Sequence, residues 1–190
     1  MSTKTRTKLS RRGILLATLA AGAVGVAPLT SSFAEEAGGK TKADPTETVV
    51  EGTAHFSYRP FPQDKFKLTV NARGNVKGAK GTFTGWHTPP GEPQDGGIQG
   101  TIDCVLPGGR GNVTMTGVVT KTPPGEASAL IGHRVGLSIS THRGGRVGFS
   151  WGVDLEAPVV DVPKCNGPAP FAPVVAGRHR ISGNTEYPAF

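Results

Sequence analysis

Apolar and polar side chains alternate along most of the chain after residue 48, and this pattern restricts the possible folds more than any other feature. In FKLTVNARG, residues 66–74, Phe66, Leu68 and Val70 fall on one face of an extended chain. Successive side chains of a β-strand point to opposite faces, so this period of two predicts a strand with one wet face. Similar segments occur at 50–59, 79–88, 96–106, 112–120, 133–141, 146–154 and 174–182.

Glycine- and proline-rich turns separate these segments, for example at residues 107–109, 123–125 and 142–145. After residue 34, no window of eleven or more residues has a helical period without Gly or Pro. Short strands joined by local turns must close on themselves or fold over to hide their edges and apolar face. We therefore expect an all-β domain at 49–183, with about eight antiparallel strands in a small barrel, followed by a C-terminal tail at 184–190; a two-sheet sandwich is the alternative.

One connection is long: Glu156–Pro173 contains five prolines. We expect it either to cross an end of the barrel or to carry Cys165 back to the strand of Cys104. Gly136, Gly148 and Gly152 fall on the predicted outer face, where a strip of backbone without side chains can admit a partner or a second sheet.

Residues 1–34 have the three-part layout of an export signal. Five basic residues precede an uncharged run of fifteen, Gly13–Ala27, whereas a membrane-spanning helix needs roughly 20 apolar residues. Small residues at Ser32 and Ala34 predict cleavage after residue 34. Arg11 and Arg12, after a serine and before two apolar residues, resemble the twin-arginine (Tat) motif. An ordinary Sec signal is the alternative, and residues 35–48 are predicted to be a flexible leader.

Removal of residues 1–34 lowers the net charge of the chain. The whole chain has 21 basic against 14 acidic residues; taking away the five basic residues of the signal leaves 16 against 14, a net charge of +2. This balance argues against nucleic-acid binding. With no cysteine near the cleavage point, we also expect no membrane attachment after cleavage. The residues do not indicate an oligomeric state.

Cys104 and Cys165 are the only cysteines. An even pair in an exported protein predicts one disulfide, with two buried free thiols as the alternative. Two separated thiols do not make a metal site, and no cofactor fingerprint occurs, so we expect neither metal nor cofactor. Alternation places Cys104 on the inward face, together with Ile102 and Leu106.

The export signal, the NARG strand at 71–74, the DCV and GNVTMTGVVT segments and the late cysteine together resemble a group of small secreted proteins of high-GC Gram-positive bacteria. The resemblance spans about residues 49–182. It implies an extracellular location and a β architecture, and it implies no chemistry.

GFSWG, residues 148–152, fits the nucleophile-elbow pattern G-x-S-x-G, and Asp154 or Asp161 and then His179 follow in hydrolase order. That mechanism needs a strained turn between a strand and a helix. Ser150 instead lies within a predicted strand, on its wet face, and the residues that follow cannot begin a helix. We therefore do not expect a serine hydrolase.

Alternation places His133 and His179 on inward faces and His55 on an outward one. An inward histidine is usually a satisfied core residue, but two in one barrel can act as acid and base, since imidazole titrates near neutrality. His133 and His179 are therefore weak catalytic candidates. Tyr58, Phe149 and Trp151 also face inward and would line a cavity if the barrel leaves one.

From these features we expect a secreted, non-catalytic β-domain that binds an apolar small molecule or a cell-surface component, such as one of the cell wall; a structural role at the cell wall is a further possibility. The alternative is an isomerase or cyclase that uses His133 and His179 in the barrel cavity. The two hypotheses differ in whether one cavity holds both imidazoles.

Overall fold

Eight antiparallel strands form one closed barrel in the computed structural model, which describes residues 45–94, 97–151 and 160–187. Neighbours follow chain order, and the last strand pairs with the first. This confirms the predicted all-β barrel. The strands are β1 Thr48–Phe56, β2 Lys65–Gly74, β3 Ala79–Thr88, β4 Ile98–Pro107, β5 Asn112–Lys121, β6 Arg134–Ser140, β7 Arg146–Phe149 and β8 Ala172–Gly183.

Several predictions concern residues outside these ranges. They are the signal 1–34 with Arg11 and Arg12, the leader up to residue 44, residues 152–154 of the predicted seventh strand, and the last three residues of the tail 184–190. Among the described residues, the one helical element is a short 3₁₀ segment, Glu126–Leu130.

The inward faces of the strands supply a single apolar cluster that fills the barrel. Phe83, Leu68 and Met115 are its largest fully buried side chains. Filling by side chains is expected, because eight strands enclose an interior about as wide as the side chains themselves. His55 is exposed, as its position in the alternation predicts.

The strand pairings contain three register shifts, and two of them bear on predicted side-chain directions. Ile102 pairs with Gly117 and Cys104 with Thr116, so Asp103 is an extra residue in β4. The prediction that Cys104 faces the core is therefore wrong, and Val105 joins the core instead. A bulge shifts the alternation by one residue and reverses the faces of everything beyond it.

The second bulge lies in β8. His55 pairs with Ala176 and Phe56 with Val174, which leaves Val175 unmatched. Val175 is 66% exposed, although the alternation predicts it to share the inward face of His179.

Residues 160–171, which we call the strap, lie against the outside of β5, β6 and β7. Cys165 is joined to Cys104 by a disulfide with 5.3 Å between the Cα atoms, so the predicted pairing is present. Ser138 Oγ donates to Pro168 O at 2.6 Å, and Phe171 N donates to Val147 O at 3.0 Å. The long connection thus returns Cys165 to the strand of Cys104.

The outward glycines make room for the strap. A Cβ atom on Gly136 would lie 2.7 Å from Asn166 O, and one on Gly148 would lie 2.7 Å from Ala169 O. These distances are too short for a side chain. A segment of the same chain, rather than a partner or a second sheet, therefore covers Gly136 and Gly148.

Candidate functional site

Tyr58, Phe149 and Trp151, the predicted ligand-binding residues, lie together at one end of the barrel. The ring of Phe149 has its centroid 5.5 Å from that of Tyr58 and 5.3 Å from that of Trp151. They meet because β1 and β7 end here: Tyr58 follows β1, and Trp151 follows β7.

Two further rings extend this group to the surface. Phe61 and Phe171 lie 6.1 and 5.7 Å from Tyr58 and are 39% and 37% exposed. Sequence reasoning missed both, since they stand in loops where no alternation marks them. We call Tyr58, Phe61, Phe149, Trp151 and Phe171 the aromatic mouth.

A glycine lets Trp151 enter the barrel. A Cβ atom on Gly85 would lie 2.7 Å from Cζ2 of Trp151, so a side chain there would displace the indole. Phe83, which is buried, stacks on Trp151 with 5.8 Å between centroids. The half-buried Trp151 thus connects the mouth to the core.

A histidine and an aspartate form a pair beside the mouth. His87 Nε2 lies 2.5 Å from Asp64 Oδ2, and the His87 ring stacks on Phe66 with 4.7 Å between centroids. Phe61 lies 6.0 Å from the same imidazole. The carboxylate and the stacked ring fix the imidazole, which can then hydrogen-bond a polar group at the mouth. Nothing in the sequence signals this pair, because Asp64 stands in a loop, and the whole of β2 separates it from the strand of His87.

The two catalytic candidates, His133 and His179, do not come together. His133 precedes β6, its side chain is 40% exposed, and its Nδ1 lies 3.2 Å from Asp161 Oδ1 in the strap. The expectation that His133 faces inward is wrong, because the alternation of inward and outward side chains applies only within a strand and β6 begins at Arg134. The same Asp161 oxygen accepts from Arg134 N at 2.7 Å, and this hydrogen bond lowers the pKa of the Asp161 carboxyl. His133 and Asp161 therefore anchor the strap.

His179 is buried, as expected, with 7% of the residue exposed. Its Nε2 lies 3.2 Å from the carbonyl oxygen of Leu68 in β2 and donates to it. Burial lowers the pKa of the imidazole by desolvation. His179 is accordingly neutral at neutral pH and acts as a hydrogen-bonded residue of the barrel interior.

Ser150 does not belong to a hydrolase site. β7 ends at Phe149, and Ser150 Oγ accepts from Gly136 N at 2.8 Å, while Ser150 N donates to Gly136 O at 3.0 Å. Asp161 contacts His133 rather than His179, and Asp154 lies outside the described residues. Ser150 instead hydrogen-bonds to β6 just beyond the end of β7.

Within residues 45–94, 97–151 and 160–187, no three His, Cys, Asp or Glu side chains are grouped so that they could hold a metal ion. The described part of the chain also has no helix with the length and hydropathy to cross a membrane.

Comparison with family models, with curated proteins and with solved structures finds no match to this chain. The resemblance to small secreted proteins therefore stays a prediction.

Proposed function

We propose that the barrel binds an apolar small molecule at the aromatic mouth and does so without catalysis. The observation that carries this proposal is the convergence of Tyr58, Phe149 and Trp151 beside two rings that remain partly in water. Apolar side chains scattered singly over a surface are normal, whereas these two partly exposed rings adjoin an aromatic cluster that continues into the core.

The size of the exposed surface favours a small molecule. Phe61 and Phe171, at 39% and 37% exposure, leave about 150 Å² in water if a fully exposed phenylalanine offers about 200 Å². A stable protein interface buries about 800 Å² on each partner. These two rings alone are thus too small to hold a protein or polymer, whereas a ligand of one or two aromatic rings can cover them.

The polar groups at the mouth give such a ligand an orientation. Tyr58 carries a hydroxyl, and the His87 and Asp64 pair stands beside Phe61. Apolar sites with a few polar groups are the usual form of small-molecule sites. We do not propose catalysis by His133 and His179, because one contacts the strap and the other contacts β2.

Replacing Phe61 and Phe171 together by alanine should weaken binding of the fluorescent apolar probe 1-N-phenylnaphthylamine at least about tenfold. Two lost ring contacts remove more than the roughly 1.4 kcal/mol to which tenfold corresponds. The measurement is a fluorescence titration of the purified protein.

Tyr187→Ala is the matched control, since Tyr187 is an aromatic residue with 59% exposure beyond the other end of β8. It should leave the probe affinity within twofold, on the order of the scatter seen for surface substitutions. Equal affinity in the double variant and the wild type would mean that the mouth is not the binding site.

We propose further that the protein is exported by the twin-arginine route, with residues 1–34 as its signal. The disulfide supports a location outside the reducing cytoplasm. Changing Arg11 and Arg12 to lysine should then abolish its appearance in the culture medium, measured by immunoblot of cells and medium. Arg6→Lys, which preserves charge outside the pair, is the control. Undiminished secretion of the double variant would support the Sec alternative instead.

A further inference from the structure

The barrel has a gap beside β8. Pairs between β7 and β8 are limited to Arg146 with Pro173 and Val147 with Ala172, although β8 continues along β1 to Gly183. The turn between β6 and β7 lies against β8 at this point, where Val174 N donates to Gly145 O at 3.1 Å. A pocket of about 310 Å³ opens between them, which we call the seam pocket.

The seam pocket is lined by groups suited to an anion. Its wall consists of Ser140, Thr141, Gly144, Gly145, Val174, Arg178 and His179. Gly144 and Gly145 both have φ of +86°, a conformation that favours glycine and brings main chain close to a ligand. None of these described lining residues is acidic.

Arg178 is the one arginine among these described lining residues; it is exposed and also lines the neighbouring groove of Glu51 and Arg180. Its neighbour on the strand, Arg180, lies 3.5 Å from Glu51, whereas no carboxylate of the described residues is within ion-pair distance of Arg178. A guanidinium offers parallel donors that match two oxygens of a phosphate. Ser140 Oγ accepts from His142 N at 3.4 Å, an interaction that leaves the hydroxyl proton for another acceptor.

His179 also lines the seam pocket, but it does not donate a hydrogen bond to the ligand. Its Nε2 already donates to Leu68 O, and the ring is buried. The donors of the seam pocket thus come from Arg178 on one side and from the Ser140 hydroxyl on the other, since the Gly145 N–H already donates to His142 O at 2.9 Å.

We infer that the seam pocket binds a tetrahedral oxyanion, the phosphate or sulfate group of a small molecule. A volume of about 310 Å³ lies at the lower limit of pockets for small organic ligands and exceeds what a bare ion fills, so the anion brings a small organic body. The inference does not rest on the aromatic mouth, whose residues are different.

The test is a titration of the ¹⁵N-labelled protein with inorganic phosphate and with sulfate at constant ionic strength, followed by NMR. Amide shifts should be largest at residues 140–145 and 174–179. Arg178→Ala should weaken the apparent affinity for both ions at least tenfold. Arg180→Ala removes the same charge from the same strand, and it should weaken the affinity less than threefold.

Two results would overturn the proposed site: an equal loss of phosphate affinity in Arg178→Ala and Arg180→Ala, or amide shifts spread over all basic surfaces. Either result is what a general electrostatic attraction of anions produces. Acetate tests the chemical class: affinity for this planar monoanion equal to that for phosphate would overturn the assignment of a tetrahedral group. Ser140→Ala provides a second variant, expected to weaken phosphate binding without changing the net charge.

Discussion

Replacing Cys104 and Cys165 together by alanine will lower the free energy of unfolding by about 4 kcal/mol. The bridge joins residues 61 positions apart, and releasing a loop of that length gives the unfolded chain the corresponding conformational entropy. Urea denaturation followed by circular dichroism measures the difference. Replacing both cysteines avoids leaving one free thiol.

Ser138→Ala is the control for this result. It removes one hydrogen bond to the strap, the 2.6 Å contact with Pro168 O, and leaves the covalent loop in place. We expect a cost of about 1 kcal/mol from it. If the double cysteine variant loses no more stability than Ser138→Ala, the bridge does not supply the main constraint on the strap.

Gly136→Ala will destabilise the protein by about 1 to 3 kcal/mol, the cost typical of inserting a methyl group into a filled space. The new Cβ would meet Asn166 O at 2.7 Å and Gly167 Cα at 2.8 Å, and both are backbone atoms that no side-chain rotation can remove. The strap must therefore move away from β6. Hydrogen exchange of the Val162 amide, which donates to Arg134 O at 3.1 Å, should become faster.

Gly78→Ala is the matched control, because a Cβ atom at Gly78 has no neighbour within 4 Å and the glycine does not have positive φ. Its stability should change by less than about 0.5 kcal/mol, or rise slightly through the lower entropy of the unfolded chain. If hydrogen exchange of the Val162 amide is unchanged in Gly136→Ala, the position of the strap does not depend on the absence of a side chain at residue 136.

Alternation was enough to predict the number and type of strands, since a face buried in a barrel leaves a period of two wherever a strand is regular. It was not enough to choose between barrel and sandwich. That choice depends on the pairing of β1 with β8, whose residues lie more than 100 positions apart in the chain.

Errors in side-chain direction occurred where the period is interrupted. Asp103 and Val175 are the extra residues of two bulges. Valine is common in strands, and Asp103, although its type is rarer there, also fits the solvent-facing position that regular alternation gives it. Cys104 and Val175 were therefore assigned to the wrong face. His133 was misplaced for a related reason, because it stands one residue before β6.

The candidate site was predicted in part. Tyr58, Phe149 and Trp151 were recognisable as inward aromatics, and the ends of β1 and β7 bring them together. The sequence did not indicate that other residues join the site, because their positions depend on loops. These residues are Phe61, Phe171 and the pair of His87 with Asp64. The seam pocket also depends on a tertiary detail, the short pairing of β7 with β8.

The chain enters and leaves the barrel domain at the same end of the barrel. Asn184 N donates to Glu47 O at 2.8 Å, so the chain entering β1 and the chain leaving β8 run side by side. β1 extends from there toward the mouth for nine residues, about 25 Å at the usual rise per residue. An affinity tag, a fluorescent protein or a surface linker joined to the chain directly beside Glu47 or Asn184 would start at the end of the barrel away from the mouth. Immobilised through such a linker, the protein would present its aromatic rings outward to the solution.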